Sequence, residues 1–129
     1  MAYEVELIKG SFEPSARERL KYQDFSEIQK IDQLCGDGND SGDIKGVSDF
    51  LLFSVHNDNS TSGNQDYSQL VIITESGAAY VTGSTTFIRD FETVFSVMRQ
   101  DDCEPFDIKI RKVPSKRYSG KYFLKLSVI

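Results

Sequence analysis

The chain has 129 residues, of which 39% are hydrophobic and 27% charged, and its formal net charge is −5. This length predicts one domain, and apolar runs of only a few residues exclude a transmembrane helix of ~20 residues. Two cysteines and one histidine exclude zinc-finger and disulfide-framework classes. The first residues lack the apolar stretch of a signal peptide, so we expect a cytoplasmic location and reduced thiols.

The N-terminal quarter contains one predicted strand and one predicted turn or helix. Residues 2–8 alternate polar and apolar side chains, which indicates a half-buried strand. Ser26 and Gln29 have the spacing of a capping box, and apolar residues at helical spacing follow them. We therefore predict a short helix or turn over 26–34.

The middle of the chain alternates polar loops with apolar strands. Residues 35–48 are rich in glycine and aspartate and are predicted to form a flexible loop, as is the polar stretch 58–67. Between these two loops, residues 49–57 have the composition of a buried strand. Residues 68–82 have the pattern of a hairpin that turns at Ser76-Gly77.

The C-terminal part begins with the strongest helical pattern in the chain. Apolar residues from Phe87 to Met98 recur on one face and predict an amphipathic helix over about 84–99, with Ser84 or Thr85 as its N-cap. Two alternating segments, 105–113 and 121–129, then predict a terminal pair of strands.

The order of these elements predicts a mainly β or α+β fold. A five-stranded OB-like barrel, with the helix at about 84–99 between the third and fourth strands, fits that order. A generic α+β sheet with one packed helix fits it as well. In either case we treat 1–129 as one domain with flexible loops at about 35–48 and 58–67.

The charge is distributed unevenly along the chain. Residues 1–107 contain all 20 acidic residues and 8 basic ones, for a net charge of −12, whereas residues 108–129 contain 7 basic residues and no acidic one. A basic stripe of this kind attracts phosphate groups. The alternative is a solvated strand face on which lysines protect a sheet edge.

The predicted terminal strands place cations beside an aromatic ring. Lys109 and Arg111 share one face of the first strand, and Lys121, Phe123 and Lys125 share one face of the second. If these faces coincide, the arrangement suits single-stranded nucleic acid, which binds cations through phosphates and aromatic rings through bases. A register shift of one residue would exchange Phe123 with Tyr122. The predicted nucleic-acid-binding residues are Lys109, Arg111, Lys116, Arg117, Tyr118, Lys121, Phe123 and Lys125.

The acidic loop 35–48 partly matches a calcium-binding EF-hand loop. Asp37, Asn39 and Ser41 occupy the first, third and fifth positions, but Ser48 occupies the twelfth, where a bidentate glutamate normally closes the site. We therefore favour a loop without metal, and no cofactor is predicted.

No catalytic motif stands out in the sequence. His56 shares a strand face with Ser54, but parallel side chains on one strand do not form a nucleophile–base pair, and no acidic residue is placed locally to orient the ring. We expect a structural histidine and no enzymatic activity.

Two groups of residues carry a resemblance to a known class of proteins: Tyr80–Ser84 with Phe87, and Ser115-Lys116 and Gly120-Lys121 with Phe123. On these residues the chain resembles, over about 49–129, small acidic proteins encoded by bacteriophages of Gram-positive hosts. Such proteins are associated with single-stranded DNA binding in replication and recombination. The resemblance implies an OB-like barrel in the cytoplasm of the host cell.

These observations lead to three hypotheses. The first is a non-catalytic single-stranded DNA-binding protein, with a second copy of the chain and phage or host replication and recombination proteins as further partners, and no membrane partner. The alternative is an acidic inhibitor that binds a host nucleic-acid enzyme by imitating a phosphate backbone. A nuclease that uses carboxylates and a metal ranks last, because no paired carboxylate site is recognisable.

Overall fold

The computed structural model describes residues 3–34, 41–57, 66–114 and 122–129. Within them the fold is mainly β: seven strands form a strongly curled half-barrel sheet, accompanied by two α-helices. The strands are β1 (Tyr3–Gly10), β2 (Gln29–Lys30), β3 (Ser41–Asn57), β4 (Asp66–Thr74), β5 (Ala79–Thr82), β6 (Phe106–Pro114) and β7 (Tyr122–Val128). The helices are α1 (Ala16–Tyr22) and α2 (Thr85–Gln100), and 3-10 turns lie at Phe25–Glu27 and Ile31–Leu34. The described strands therefore number seven, where five were predicted.

Strand β3 organises the sheet because it pairs along both of its edges. One edge pairs with β4 over Val47–His56. The other edge pairs with β6 over Ser41–Val47 and with β1 over Leu51–Asn57, so β6 and β1 follow one another along it. Beyond these strands, β7 pairs with β6, β5 pairs with β4, and β2 pairs in parallel with β5.

One side of the sheet, which we call the inner face, packs against α2. Ser84 caps this helix by accepting a hydrogen bond from the Phe87 N–H at 3.3 Å, so the helix predicted at 84–99 is confirmed within one residue. The rings of Phe91 and Phe95 contact Phe50 of β3 edge to face, with centroids 5.6 and 5.0 Å apart. This cluster also includes buried residues of β4, β6 and β7 and forms the larger core of the protein.

The opposite side, the outer face, is covered over β3, β4 and β5, and Val5 and Leu7 of β1 pack against the same cluster. There Leu51, Phe53 and Val71 pack with Tyr22 of α1. The half-buried Phe25 adds an edge-to-face contact with Phe53, at 5.6 Å between ring centroids. The N-terminal segment that follows β1 thus forms a second, smaller core on the outer face.

A capping box that was not predicted from the sequence starts helix α1. The Ser15 hydroxyl accepts from the Glu18 N–H at 3.2 Å, and the Ser15 N–H donates to the Glu18 carboxylate at 3.0 Å. The bond from the Ser15 N–H is the main reason that the pKa of Glu18 lies below its ordinary value. The helix or turn predicted at 26–34 consists of two 3-10 turns, and the short strand β2 between them was not predicted.

The loop predicted at 35–48 is wrong for its second half, because β3 begins at Ser41. Two glycines in this half of β3 meet local requirements of the strand. A Cβ on Gly42 would lie 2.7 Å from the Leu34 carbonyl oxygen, and Gly46 has a φ of +72° where the register shifts between Ile44 and Val47. Glycine is expected at such close approaches and bulges as well as in loops. Residues 35–40 and 58–65 lie outside the described residues, and β4 already begins at Asp66.

Candidate nucleic-acid interface

The register between β6 and β7 places the predicted cations on one face. Lys109 lies opposite Ser127, and Arg111 lies directly opposite Lys125. The alternate residues Ile108 and Ile110 are fully buried on the inner face. Since side chains alternate along a strand, Lys109, Arg111 and Lys125 lie together on the outer face. We call these three residues the basic face; the structure confirms that the two predicted strand faces coincide there.

Arg111 and Lys125 form a like-charged pair across the two strands. The Ile129 N–H donates to the Asp107 carbonyl at 3.0 Å. Every second pair along this ladder, including Arg111 with Lys125, is therefore a hydrogen-bonded pair with Cα atoms about 5.5 Å apart. Like charges directly opposite each other are unfavourable. A bound anion between these two side chains would relieve that repulsion.

The basic face is exposed. All three of its side chains are solvent-exposed, and none of them forms an ion pair with another described residue. The segment from α1 to Ile28 packs over the other end of the outer face. Lys109, Arg111 and Lys125 are therefore accessible to a ligand approaching the outer face.

Two carboxylates limit the basic face, and one of them was missed by the sequence analysis. Asp43 lies opposite Lys109 on the outer face, because β3 extends further towards the N-terminus than predicted. Asp107 precedes Lys109 by two residues on the same strand face. Its carboxylate accepts the Gly46 N–H at 2.9 Å. The local charge is therefore less positive than the composition of 108–129 alone suggests.

The remaining predicted binding residues are not placed. Lys116, Arg117, Tyr118 and Lys121 lie outside the described residues, and so does the side chain of Phe123. The backbone register pairs Phe123 with Val113, two positions after Arg111. Lys109, Arg111 and Lys125 are thus the predicted residues that the described part of the chain brings together.

The residues of the partial EF-hand pattern are divided between a strand and an undescribed segment. Asp37 and Asn39 lie outside the described residues, whereas Ser41 to Ser48 belong to β3 and pair with β6 or β4. The described ranges contain no group of three or more His, Cys, Asp or Glu side chains arranged to hold a metal ion.

His56 does have an acidic partner, contrary to the sequence-based expectation. Its Nδ1 atom lies 2.5 Å from Oδ1 of Asp66, which is its cross-strand neighbour on β4. Glu4 of β1 lies opposite His56 on the other side. Strand pairing brings these residues together, so no local motif indicates them. Ser54 stands two residues away on the same strand, ~6.6 Å along it, which is too far for the contact of ~3 Å between a nucleophile and its base.

Comparisons with known proteins give no indication of function, so the functional interpretation depends on the geometry described above. No protein-family model matches the chain, and neither the curated proteins nor the solved structures contain a match. Neither described helix combines the length and the apolar character that crossing a membrane requires.

Proposed function

We propose that this protein is a non-catalytic single-stranded DNA-binding protein whose basic face contacts the phosphates. The observation that carries the proposal is the like-charged pair of Arg111 and Lys125, with Lys109 beside it, on an exposed part of the sheet. Structural ion pairs do not explain these cations, because no described carboxylate bonds to them. A phosphate backbone would neutralise all three.

Single strands suit this surface better than duplex DNA. An exposed sheet face can hold an extended strand, with phosphates on the cations and bases on aromatic rings. Tyr118 and Phe123 are our candidates for those rings, each worth about 1–3 kcal/mol per stacked base. Phe123→Ala and Tyr118→Ala should therefore weaken binding while the folded β-signal by circular dichroism is retained. Unchanged affinity in both variants would remove the stacking part of the proposal.

The pairing of the last five strands supports an OB-like architecture within the larger sheet. Strands β3, β4 and β5 form an antiparallel meander, α2 follows the third of them, and β6 returns to pair with β3 before β7. This is the order proposed from the sequence for these five strands; β1 corresponds to the strand predicted over 2–8, and β2 was not predicted. A role in phage-type replication and recombination rests on the sequence resemblance and is part of the proposal.

The test is fluorescence anisotropy with a labelled dT oligomer of about 30 nucleotides, at several salt concentrations and with duplex as competitor. The double variant Arg111→Gln with Lys125→Gln should bind several-fold more weakly. Its salt slope should be smaller by about 1.4, since each phosphate contact on a single strand contributes ~0.7. Arg17→Gln removes an exposed charge from α1 and serves as the control. Equal affinity and slope in wild type, control and double variant would overturn the proposal.

One observation favours the alternative of an acidic inhibitor. Glu4 and Asp66 flank His56 at the end of β3 remote from the basic face, and Glu6 follows on β1, with all three carboxylates exposed. Such a surface would bind a basic protein instead of DNA. If the wild type captures a basic protein, the double variant Glu4→Gln with Glu6→Gln should no longer capture it. Capture by the double variant as well would exclude this surface as the binding site.

A further inference from the structure

Among the described strands, three pair with a neighbour along one edge only: β1, β2 and β7. Strand β2 has two residues, and β1 has an irregular register between Leu7 and Lys9. Strand β7 has seven residues in an uninterrupted register with β6. A long and regular open edge is a template for pairing with another chain.

The hydrogen-bonding pattern shows which backbone groups form this open edge. Because the Ile129 N–H bonds to Asp107 of β6, odd-numbered residues of β7 face β6 with their backbone groups. The N–H and C=O groups of Leu124, Leu126 and Val128 therefore point away from β6. No described strand pairs with them.

The side chains beside this edge specify the chemistry of a partner. On the outer face the edge carries Lys125 and Ser127, and Arg111 lies opposite Lys125 on the neighbouring strand β6. On the inner face Leu126 is half-buried, and Val128 remains 43% exposed. A strand added to this edge would be matched by acidic side chains on one face and by apolar side chains on the other.

We propose that the open edge of β7 binds an extended acidic segment of a partner protein, which adds a strand to the sheet. Opposite charges on directly opposed positions favour such pairing, whereas two β7 strands would bring their Lys125 side chains towards each other. Nucleic acid has no backbone donors and acceptors in the spacing of a strand and no apolar face for Val128. The proposal stands on the backbone edge of β7; it shares Lys125 and Arg111 with the basic face but does not require DNA binding.

The probe is a labelled, N-acetylated heptapeptide in which glutamate alternates with leucine or valine, and the control peptide has the same composition without alternation. We expect the alternating peptide to bind more tightly than its control in an anisotropy titration. Val128→Pro removes one outward N–H, and proline is tolerated when that N–H faces away from the ladder. It should weaken peptide binding about 2- to 10-fold relative to Val128→Ala, which keeps the N–H.

Two further measurements make the outcome decisive. Amide hydrogen exchange of the wild-type protein should slow at Leu124, Leu126 and Val128 when the peptide binds, which tests the edge even if Val128→Pro does not fold. Val128→Pro should leave affinity for the dT oligomer unchanged, which separates this proposal from DNA binding. Equal binding of both peptides, no protection of these amides, or sedimentation of the free wild type as a dimer that Val128→Pro converts to a monomer would each overturn the proposal.

Discussion

The outer face of the sheet is covered at one end and open at the other. Over β3, β4 and β5, Phe53 and Val71 lie fully buried in a cluster completed by Tyr22 of α1. Over β6 and β7, the same face presents the exposed side chains of Lys109, Arg111 and Lys125. The outer face of the sheet therefore forms part of a core over β3, β4 and β5 and a candidate ligand surface over β6 and β7.

The difference follows from the hydrophobic pattern of the strands. Residues 50–53 and 70–73 are apolar at every position, so both faces of β3 and β4 must be buried. Over residues 106–111 and 124–128 apolar residues alternate with charged or polar ones, so only the inner face needs cover. An unbroken apolar run predicts a second covering layer, whereas alternation predicts a face that is free to bind.

A substitution in the covered region should lower stability far more than one in the open region. Phe53→Ala should lower the free energy of unfolding by about 3–5 kcal/mol, because the buried ring leaves a cavity and Phe25 loses its aromatic contact. Arg111→Ala on the open region should change it by less than about 0.5 kcal/mol. Urea unfolding of both variants measures the difference; similar losses in the two would show that both regions are structural.

A smaller effect is expected at the segment that covers the outer face. Ser15→Ala should cost about 1 kcal/mol, since it removes the side-chain cap of α1. Ser26→Ala is the matched control, because the Ser26 hydroxyl bonds to Asp24 and caps no helix N–H. Thermal unfolding and amide exchange in α1 provide the readouts. Equal stability of the two variants would show that α1 does not help to hold the covering layer in place.

A charge reversal on β7 should raise the stability of the fold, whereas the substitutions in the covered region should lower it. Lys125→Glu replaces a like-charged pair by an opposite one and should raise the stability of the fold by about 0.2–1 kcal/mol. The same change should reduce affinity for single-stranded DNA, and Lys125→Gln should lie between the two. A loss of stability in Lys125→Glu would contradict the repulsion inferred between Arg111 and Lys125.

The smallest effect is the pH dependence of α1. The folded-state pKa of Glu18 is lowered, so its stabilising contribution is present above the ordinary glutamate pKa of 4.5 and is lost as the pH falls through the lowered value. Wild type should exceed Glu18→Gln in stability at neutral pH, and the two should converge in acid. Unfolding curves at several pH values check this, and a difference that persists in acid would argue against the charged hydrogen bond as its source.

Local patterns predicted some parts of the structure and not others. The periodicity of Phe87 to Met98 predicted α2, and alternation predicted the two faces of β6 and β7. The composition of 41–48 concealed the first half of β3, because its glycines allow close packing and a bulge in this chain. The charged segment before Tyr22 concealed α1, although Ser15 and Glu18 have the spacing of a capping box.

Residue contacts between strands that are distant in sequence could not be predicted from local sequence patterns. Asp43 lies opposite Lys109, and Asp66 bonds to His56, only because distant segments pair in one register. For the candidate site, strand alternation predicted the cations of the basic face and Asp107 beside them, whereas Asp43 could not be predicted because it reaches this face through pairing with a distant strand.

The proposed contact between single-stranded DNA and the exposed basic face on β6 and β7 can be located by NMR. The experiment is a titration of the ¹⁵N-labelled protein with a dT oligomer. We expect chemical-shift changes centred on the amides of Lys109, Arg111, Lys125 and Ser127, with little change at Phe53 and Val71 beneath α1. Changes centred on the acidic end near Glu4 and Asp66, or none at low salt, would contradict the proposed contact.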